Sequence, residues 1–302
     1  MSTIKDVLHK TLLEKGVPES HILDMQATLN VNEYPYEYYY EEIMEEEDNY
    51  EHVPLSKIKS LGFRGTEGIS WFDHACYNGT HNIDESRCQK AFEHLKKESI
   101  EEFQEYYKSS FVELIYFIDD DFYAVYGDGT HRTLWAKVTG ASTIYARVTR
   151  AKKNSIAYEV HQKFKSLEKE FYSYLKSKKL EWTEPRYLSS DINTVSEIIY
   201  KGHFLWVYPM YSPKKFRSKD SCDPKIIMNW KKQQEDFRNK LALILRYKKK
   251  LHTIIKLTPR KWETKCISFL EKWSKHWLFS DEQVELKKVG FDMFCIDRKH
   301  MS

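Results

Sequence analysis

The chain of 302 residues lacks long apolar runs and contains few turn-forming residues. No apolar run approaches the roughly 20 residues that a membrane helix requires, so no membrane-spanning helix is expected. Residues 1–10 lack the basic stretch followed by an apolar segment that marks a secretory signal. Ten glycines and eight prolines are too few for a fibrous or low-complexity chain. These absences exclude membrane, secreted and fibrous proteins as expected classes.

Cysteine is scarce as well, with five residues at positions 76, 88, 222, 266 and 295. An odd, widely scattered set does not form a disulfide framework and is typical of a reducing compartment. Hydrophobic residues make up 41% of the chain and aromatic residues 15%, which is enough for a packed core. The expected protein is therefore soluble and cytoplasmic.

The charges are balanced overall but are unevenly distributed along the chain. There are 48 basic and 45 acidic side chains, a net charge of +3. Residues 1–105 hold 10 basic and 22 acidic side chains, a net of −12, and residues 106–150 hold five of each. Residues 151–302 hold 33 basic and 18 acidic side chains, a net of +15. This asymmetry predicts an acidic segment, a neutral middle and a basic half that suits a polyanionic partner.

Residues 33–51 combine a dense acidic run with six tyrosines, five of them before residue 45. Composition favours a solvated, partly flexible segment. The alternative is an arm over residues 33–50 that docks on a basic surface, either in the C-terminal half or on a partner protein. Carboxylates and ring faces imitate phosphates and bases, so such an arm would occupy a site built for nucleic acid.

The middle of the chain alternates between β-rich runs and helices. A short strand and a helical turn are predicted from Val53, and a helix over residues 85–108. Two later β-rich runs are joined by three aspartates, which is the pattern of a hairpin. These runs are Phe111–Ile118 and Phe122–Tyr126, and they are followed by a short helix over Thr133–Val138 and a strand over Thr143–Val148.

Beyond Arg150 the pattern is mainly helical. Apolar residues at steps of three and four predict helices over 154–179 and 225–256, with an extended segment over 203–211 between them. Thr258 and Pro259 are a good start for a last long helix. The stripe along that helix is expected to face the core rather than to stack on bases; it contains Trp262, Cys266, Phe269, Trp273 and Trp277.

A glycine turn, Gly127-Asp128-Gly129-Thr130-His131-Arg132, follows the second strand of the predicted hairpin. Two glycines allow a sharp bend and a close approach to a ligand. Because a helix follows, free N–H groups from Thr130 to Thr133 would face an anion. His131 and Arg132 add donors, while Asp128 could orient His131, hold a metal ion or act as a base. The alternative is an ordinary turn before a surface helix.

The turn and its surroundings resemble the ParB/sulfiredoxin superfamily over residues 51–150. The shared features are Val53–Lys59, a DGxHR turn, a helix rich in small residues, and a closing strand, Ile144–Val148. The resemblance implies a small domain of mixed α/β structure whose turn binds phosphates of a nucleotide or of DNA. Members of the superfamily include DNA-partitioning clamps, nucleases, nucleotide-dependent kinases and sulfinic acid reductases.

Departures from the superfamily pattern bear on the activity. The reductase cysteine would align with Thr130, whose hydroxyl cannot form a thiosulfinate, so reductase chemistry is excluded. The long segment between Lys59 and Phe111 does not place the acidic catalytic residue that some relatives carry. Trp135 stands where an alanine is common, which narrows the expected site.

Other clusters of polar residues carry weaker indications. Asp73, His74, Cys76, His81 and Cys88 match no zinc spacing, and Asp119–Asp121 is better explained as a hairpin loop than as a Mg²⁺ site, so no metal site is predicted. A basic loop is a candidate for contacts with a nucleic-acid backbone, as is Lys248–Lys250. The loop residues are Lys214, Lys215, Arg217 and Lys219.

The sequence therefore predicts an α+β protein with three regions: an acidic arm with a short helix (1–50), a ParB/sulfiredoxin-like mixed-sheet domain (51–150) and a basic, mainly helical domain (151–302). The first hypothesis is a DNA- or nucleotide-binding protein that uses the turn and is able to form oligomers. Whether it is an enzyme stays open; a catalytic version would be a ParB-like nuclease or a phosphotransferase with Asp128, His131 and Arg132 at the centre and Mg²⁺ as a suitable cofactor. The alternative is a non-enzymatic protein inhibitor, of the phage or mobile-element anti-defence type, that blocks a DNA-targeting complex.

Overall fold

The computed structural model describes residues 3–44, 49–80, 82–108, 110–183, 186–187, 194–209, 224–276 and 280–299. Helices dominate, and strands form one mixed sheet and one smaller antiparallel sheet, so the expected α+β class with a helical C-terminal half is confirmed. The chain divides into two compact units, Met1–Tyr158 and Glu159–Ser302. None of the described helices is long and apolar enough to cross a membrane.

The first unit contains six strands and seven α-helices among its described residues. The strands are β1 (Tyr40–Glu42), β2 (Tyr50–Pro54), β3 (Ile58–Ser60), β4 (Val112–Phe117), β5 (Phe122–Val125) and β6 (Thr143–Lys153). The helices are α1 (Ile4–Glu14), α2 (Glu19–Ala27), α3 (Tyr34–Glu37), α4 (Trp71–Ala75), α5 (Glu85–Lys97), α6 (Ile100–Lys108) and α7 (Thr130–Val138).

The central strands of this sheet form the hairpin that the sequence predicts. β4 and β5 are antiparallel, and the three aspartates make a tight turn in which Asp121 has a positive φ of 47°. β6 runs parallel to β4 because α7 carries the chain across the sheet between β5 and β6. The strand order is β1-β6-β4-β5-β3, and β2 pairs with the first half of β6, on the same edge as β1. This topology puts the glycine turn at the end of β5, next to β4.

The core of the first unit lies between this sheet and the helices. Its largest fully buried side chains include Trp71, Phe72, Phe103 and Trp135. Trp135 is wholly buried and contacts Phe92 and Phe103, so it fills the core. Trp135 therefore does not narrow the predicted site at the glycine turn.

The second unit combines long helices with an antiparallel sheet. Most of α8 (Ser155–Ser177) belongs to it, followed by β7 (Leu180–Trp182), β8 (Arg186–Tyr187), β9 (Thr194–Tyr200) and β10 (His203–Pro209). The remaining helices are α9 (Pro224–Leu257), α10 (Glu263–Ser274) and α11 (Asp281–Lys299). Phe171, Trp230 and Phe237 lie at the centre of its core.

The stripe on the last predicted helix does not form a core. Trp262 is 51% exposed, Phe269 is 62% exposed and Trp273 is 41% exposed. Helical periodicity grouped these residues correctly on one side of α10, but Leu270 and Ser274 on another side are the buried ones. The expectation that the stripe faces the core is therefore wrong for these three rings, and Trp277 lies outside the described residues.

Candidate functional site

The glycine turn is shaped by close contacts with β4. Gly129 has a φ of +111°, and a Cβ at this position would collide with Val112. A Cβ at Gly127 would collide with the carboxylate of Glu113. Gly129 therefore requires glycine because of conformation and crowding, while a Cβ at Gly127 would force the flexible Glu113 carboxylate out of its present position. The conformation of the turn therefore depends on its packing against β4.

Glu113 of β4 holds the turn through both its backbone and its side chain. Its N–H donates to the Asp128 carbonyl at 2.9 Å, and its carbonyl accepts from the Tyr126 N–H at 2.9 Å. Its carboxylate accepts from the Asp128 N–H at 3.1 Å and forms an ion pair with Arg147 of β6. Three strands are thus connected directly to the start of α7.

Asp128 and Arg132 form an ion pair across the first turn of α7. The guanidinium of Arg132 donates to Asp128 at 2.7 Å and to the Phe111 carbonyl at 2.7 Å. The second carboxylate oxygen of Asp128 accepts from the Gly129 N–H at 2.7 Å. Both oxygens of Asp128 are therefore engaged, which favours a positioning role for this carboxylate over a role as a base.

His131 lies beneath the turn and contacts the start of α5. Its Nε2 accepts a hydrogen bond from the Asp84 N–H at 3.2 Å, and the residue is buried. Burial, together with the charges of Arg87 and Arg64, lowers the pKa of His131. The imidazole is therefore neutral at pH 7 and acts as an acceptor, so His131 joins α7 to α5 rather than supplying positive charge.

A cleft of about 260 Å³ opens at the beginning of α7. Three arginines, Arg64, Arg87 and Arg132, contribute to its wall, and the first turn of α7 forms its floor. The N–H groups of Thr130, His131 and Arg132 have no acceptor within their own helix, as in any first turn. The remaining lining residues are Phe63 and the turn, Gly127–Gly129. Guanidinium groups and a helix N-terminus on one concave surface select for an anion.

Phe63 forms the exposed rim of the cleft. It lies in a 3₁₀ turn, Gly62–Arg64, that follows β3, and its side chain is 51% exposed. The Arg64 guanidinium lies 5.0 Å from the centre of the Phe63 ring. The backbone of this turn approaches β5 so closely that a Cβ at Gly62 would collide with the Val125 carbonyl. An aromatic face with an adjacent cation is thus presented at the mouth of the cleft.

Six of the residues predicted for the phosphate site line this cleft together: Gly127, Asp128, Gly129, Thr130, His131 and Arg132. Thr133 is fully buried, and its N–H donates to the Gly129 carbonyl at 2.8 Å, so it is part of the helix interior. Phe63, Arg64, Arg87 and Glu113 were not predicted from the sequence. The backbone-contact candidates Lys214, Lys215, Arg217 and Lys219 lie outside the described residues.

The other polar clusters have structural roles. Both ring nitrogens of His74 are engaged, one with the Ser70 carbonyl at 2.7 Å and one with the Thr66 N–H at 2.9 Å. Asp73 forms an ion pair with Lys5. In the described part of the chain, no group of three or more His, Cys, Asp or Glu side chains has an arrangement that could hold a metal ion. Lys248 is bound to Asp297 and to the Tyr200 hydroxyl, so it stabilises the second unit.

The function of the cleft is inferred from its chemistry and from the motif resemblance. Comparisons of this chain with protein-family models, with curated proteins and with solved structures found no match. The inference therefore uses the groups that converge at the start of α7. These are a glycine turn, three guanidinium groups, the N–H groups of the first helical turn and one exposed ring.

Proposed function

We propose that the cleft at Gly127–Arg132 binds a phosphate group of a nucleotide or of DNA. The observation that carries this proposal is the convergence of Arg64, Arg87 and Arg132 with the first turn of α7 on one concave surface. Guanidinium groups bind phosphate with two parallel hydrogen bonds, and helix N–H groups add donors at no cost in reorganisation.

The volume of the cleft limits how much of the ligand it encloses. Its volume of about 260 Å³ is below the roughly 300–1,000 Å³ typical of sites that enclose a whole small molecule. A phosphate or diphosphate fits this space, while the sugar and the base would extend outward past Phe63. The resemblance to the ParB/sulfiredoxin superfamily supports the same assignment, because the DGxHR turn, the helix and the closing strand occur in the expected order.

We propose phosphate binding without a chemical step. Asp128 has both carboxylate oxygens engaged by Arg132 and the Gly129 N–H, and His131 already accepts the Asp84 N–H. These hydrogen bonds give both groups a role in holding the turn, and the proposal is limited to binding. Asp128 and His131 would hold the turn in its binding conformation.

The test replaces the two arginines that are not part of the turn. Arg64→Ala with Arg87→Ala is expected to weaken binding of ATP and of duplex DNA by about tenfold or more, since each charge-assisted contact contributes about 1.5–3 kcal/mol. Isothermal titration calorimetry measures the nucleotide and fluorescence anisotropy measures the DNA. The charge-matched control is Lys90→Ala with Lys97→Ala. Both lysines lie on α5, as Arg87 does, but outside the cleft lining.

Equal affinities for the arginine variant and the control would contradict the proposal. Loss of nucleotide binding with unchanged DNA binding would identify the ligand as a free nucleotide, and the reverse would identify DNA. A thermal unfolding curve for each variant separates loss of the ligand site from loss of the fold.

A further inference from the structure

Three exposed aromatic rings lie on α10 and on the turn before it, and they are here called the aromatic ridge: Trp262, Phe269 and Trp273. Their exposed fractions are 51%, 62% and 41%. At 100° per residue Phe269 and Trp273 lie about 40° apart on α10, while Trp262 is the last residue of the 3₁₀ turn before it. Three large exposed rings on 12 residues of chain are more than isolated surface residues would give.

Two of the rings are nearly parallel. The planes of Phe269 and Trp273 are 17° from parallel, with ring centres 6.3 Å apart, and Trp273 also contacts His276 with ring centres 5.1 Å apart. The ammonium group of Lys265 lies over the Trp262 ring, 5.1 Å from its centre. The ridge therefore presents exposed rings with a cation against one of them.

A row of lysines runs alongside the ridge. Lys261, Lys265 and Lys272 are exposed, and helical spacing places them about 60–100° from the ridge on its solvent side. The acidic residues of α10 are neutralised locally, since Glu263 pairs with Arg298 and Glu271 pairs with Lys275. The surface thus consists of one aromatic line and one parallel cationic line.

We infer that this surface binds single-stranded nucleic acid, with bases stacked on the aromatic ridge and phosphates along the lysine row. A single strand presents the same two parallel features, a line of base faces and a line of negative charges. Base stacking on aromatic side chains is independent of base identity, so little sequence preference is expected. The strong positive charge of residues 151–302 adds attraction over longer distances.

Two other occupants are less compatible with the arrangement. A helix that lies in a membrane surface buries a broad apolar face, whereas the exposed rings of α10 occupy a narrow strip with lysines directly beside it. Association with a second copy would bring the lysine rows of both copies close together, and this is unfavourable without acidic partners. The inference does not rest on the cleft in the first unit, because the two sites share no residue.

The experiment measures binding of a fluorescent oligo-dT strand by anisotropy, using the full chain. Phe269→Leu with Trp273→Leu keeps apolar side chains but removes the stacking faces, and is expected to weaken binding at least about tenfold. Phe204→Ala, on β10 and 60% exposed, is the control for loss of an exposed ring. It is expected to leave the affinity unchanged.

The lysine row is tested by salt dependence. Lys265→Ala with Lys272→Ala should reduce the slope of log K against log salt by about 1.4, since each phosphate contact to a single strand contributes about 0.7. Lys163→Ala with Lys169→Ala removes the same charge from exposed positions on α8 and should leave the slope unchanged.

The inference is overturned by any of four results. These are no binding of oligo-dT by the wild-type chain, unchanged binding by the leucine variant, a ridge-dependent dimer in light scattering, and binding to anionic phosphatidylserine vesicles that replaces binding to the strand. The Arg64→Ala, Arg87→Ala variant distinguishes this site from the cleft: it should lose ATP binding and keep its affinity for oligo-dT. Failure of the cleft proposal alone would leave the effects of the α10 variants intact.

Discussion

At the scale of single residues, Lys137 is the most unusual group near the site. It lies on α7, is 5% exposed, and its ammonium group donates to the Ile58 carbonyl. The same group lies 4.1 Å from the centre of the Trp71 ring. Burial lowers the pKa of Lys137 to about 8 from its ordinary value of 10.5. A charged Lys137 is therefore held in the core at a cost in stability, although two favourable contacts reduce that cost.

This cost predicts a specific dependence of stability on pH. Between pH 8 and about 10.5 the folded state has lost the Lys137 proton while the unfolded state retains it, so this group makes the protein more stable as pH rises. The full difference is on the order of 3 kcal/mol. Lys137→Met removes this pH-dependent contribution. In urea unfolding experiments, the free energy of unfolding of the wild type should therefore rise relative to that of the variant between pH 8 and pH 10.

Lys90→Met is the matched control for this prediction. Lys90 is exposed on α5 and is not among the charges that act on Lys137. Its curve of unfolding free energy against pH should therefore run parallel to that of the wild type. Parallel curves for Lys137→Met as well would show that the buried ammonium group does not lose its proton in this range.

The residues of the cleft divide into those that a sequence can indicate and those that it cannot. The turn was predictable because glycine, helix start and basic side chains follow one another within six positions. Arg64 and Arg87 were not predictable, since each enters the cleft from a segment whose path depends on tertiary packing. Glu113 resembled any polar residue within a β-rich run. Its role depends on the contact between β4 and the turn, which appears only in the folded chain.

At the scale of elements, the acidic, tyrosine-rich segment is part of the first sheet. It forms α3 and β1, and β1 pairs with the end of β6. Tyr39 and Tyr40 are buried, and Tyr40 contacts the Phe117 ring with centres 4.9 Å apart. The Tyr40 hydroxyl donates to Asp120 at 2.8 Å. In the described part of the segment these two rings are structural, which leaves fewer aromatic groups for docking on a partner.

Replacing Tyr40 tests this structural role. Tyr40→Ala is expected to reduce the free energy of unfolding by about 3 kcal/mol or more, as for other large aromatic residues removed from a core. Tyr40→Phe should reduce it by about 1 kcal/mol, because only the hydrogen bond to Asp120 is lost. Denaturant unfolding measures both values.

Tyr106→Ala is the control, since Tyr106 is 61% exposed on α6. Its effect should stay within about 1 kcal/mol. If Tyr40→Ala were as mild as this control, the segment would be the solvated arm that its composition favours.

The elements predicted from periodicity are largely present, while their ends and partners differ. The helices predicted over 154–179 and 225–256 match α8 and α9 within a few residues, because long amphipathic patterns are distinctive. The helix predicted over 85–108 is two helices, since Ser99 caps α6 and its hydroxyl accepts from the Glu102 N–H at 3.2 Å. Residues 180–200 contribute three strands that short, mixed patterns did not indicate. The ridge on α10 shows a further limit: periodicity identifies a face but not what covers it.

At the scale of the whole molecule, each unit has its own hydrophobic core. The core of Met1–Tyr158 is built around Trp71 and Trp135, and that of Glu159–Ser302 around Trp230 and Phe237. The boundary between the units falls after Tyr158, and the described residues of 1–50 belong to the first unit. A change in one core is therefore expected to act mainly within its own unit.

Gly129→Ala tests this separation. The variant places a Cβ at a φ of +111° and against Val112, so the first unit should lose stability by more than the ~1–2 kcal/mol of conformational strain alone. Hydrogen exchange followed by mass spectrometry should show faster exchange in β4, β5 and β6. Exchange in α9 should not change.

Gly68→Ala is the matched control for crowding. Gly68 has a φ of +75°, and no atom lies within 4 Å of a Cβ built there, so only the strain applies. Its effect on exchange in the sheet should be smaller than that of Gly129→Ala. Equal acceleration in α9 and in the sheet for Gly129→Ala would show that the two units unfold as one.

The close approach of Gly127 to Glu113 has a consequence for the divergence of related chains. A side chain at position 127 would displace the Glu113 carboxylate, and the displacement would cost the Asp128 N–H its acceptor and Arg147 one of its ion-pair partners. Positions 113, 127 and 147 are thus expected to vary as a group. Such correlated substitution would trace the descent of this turn even where the letters of the motif itself have changed.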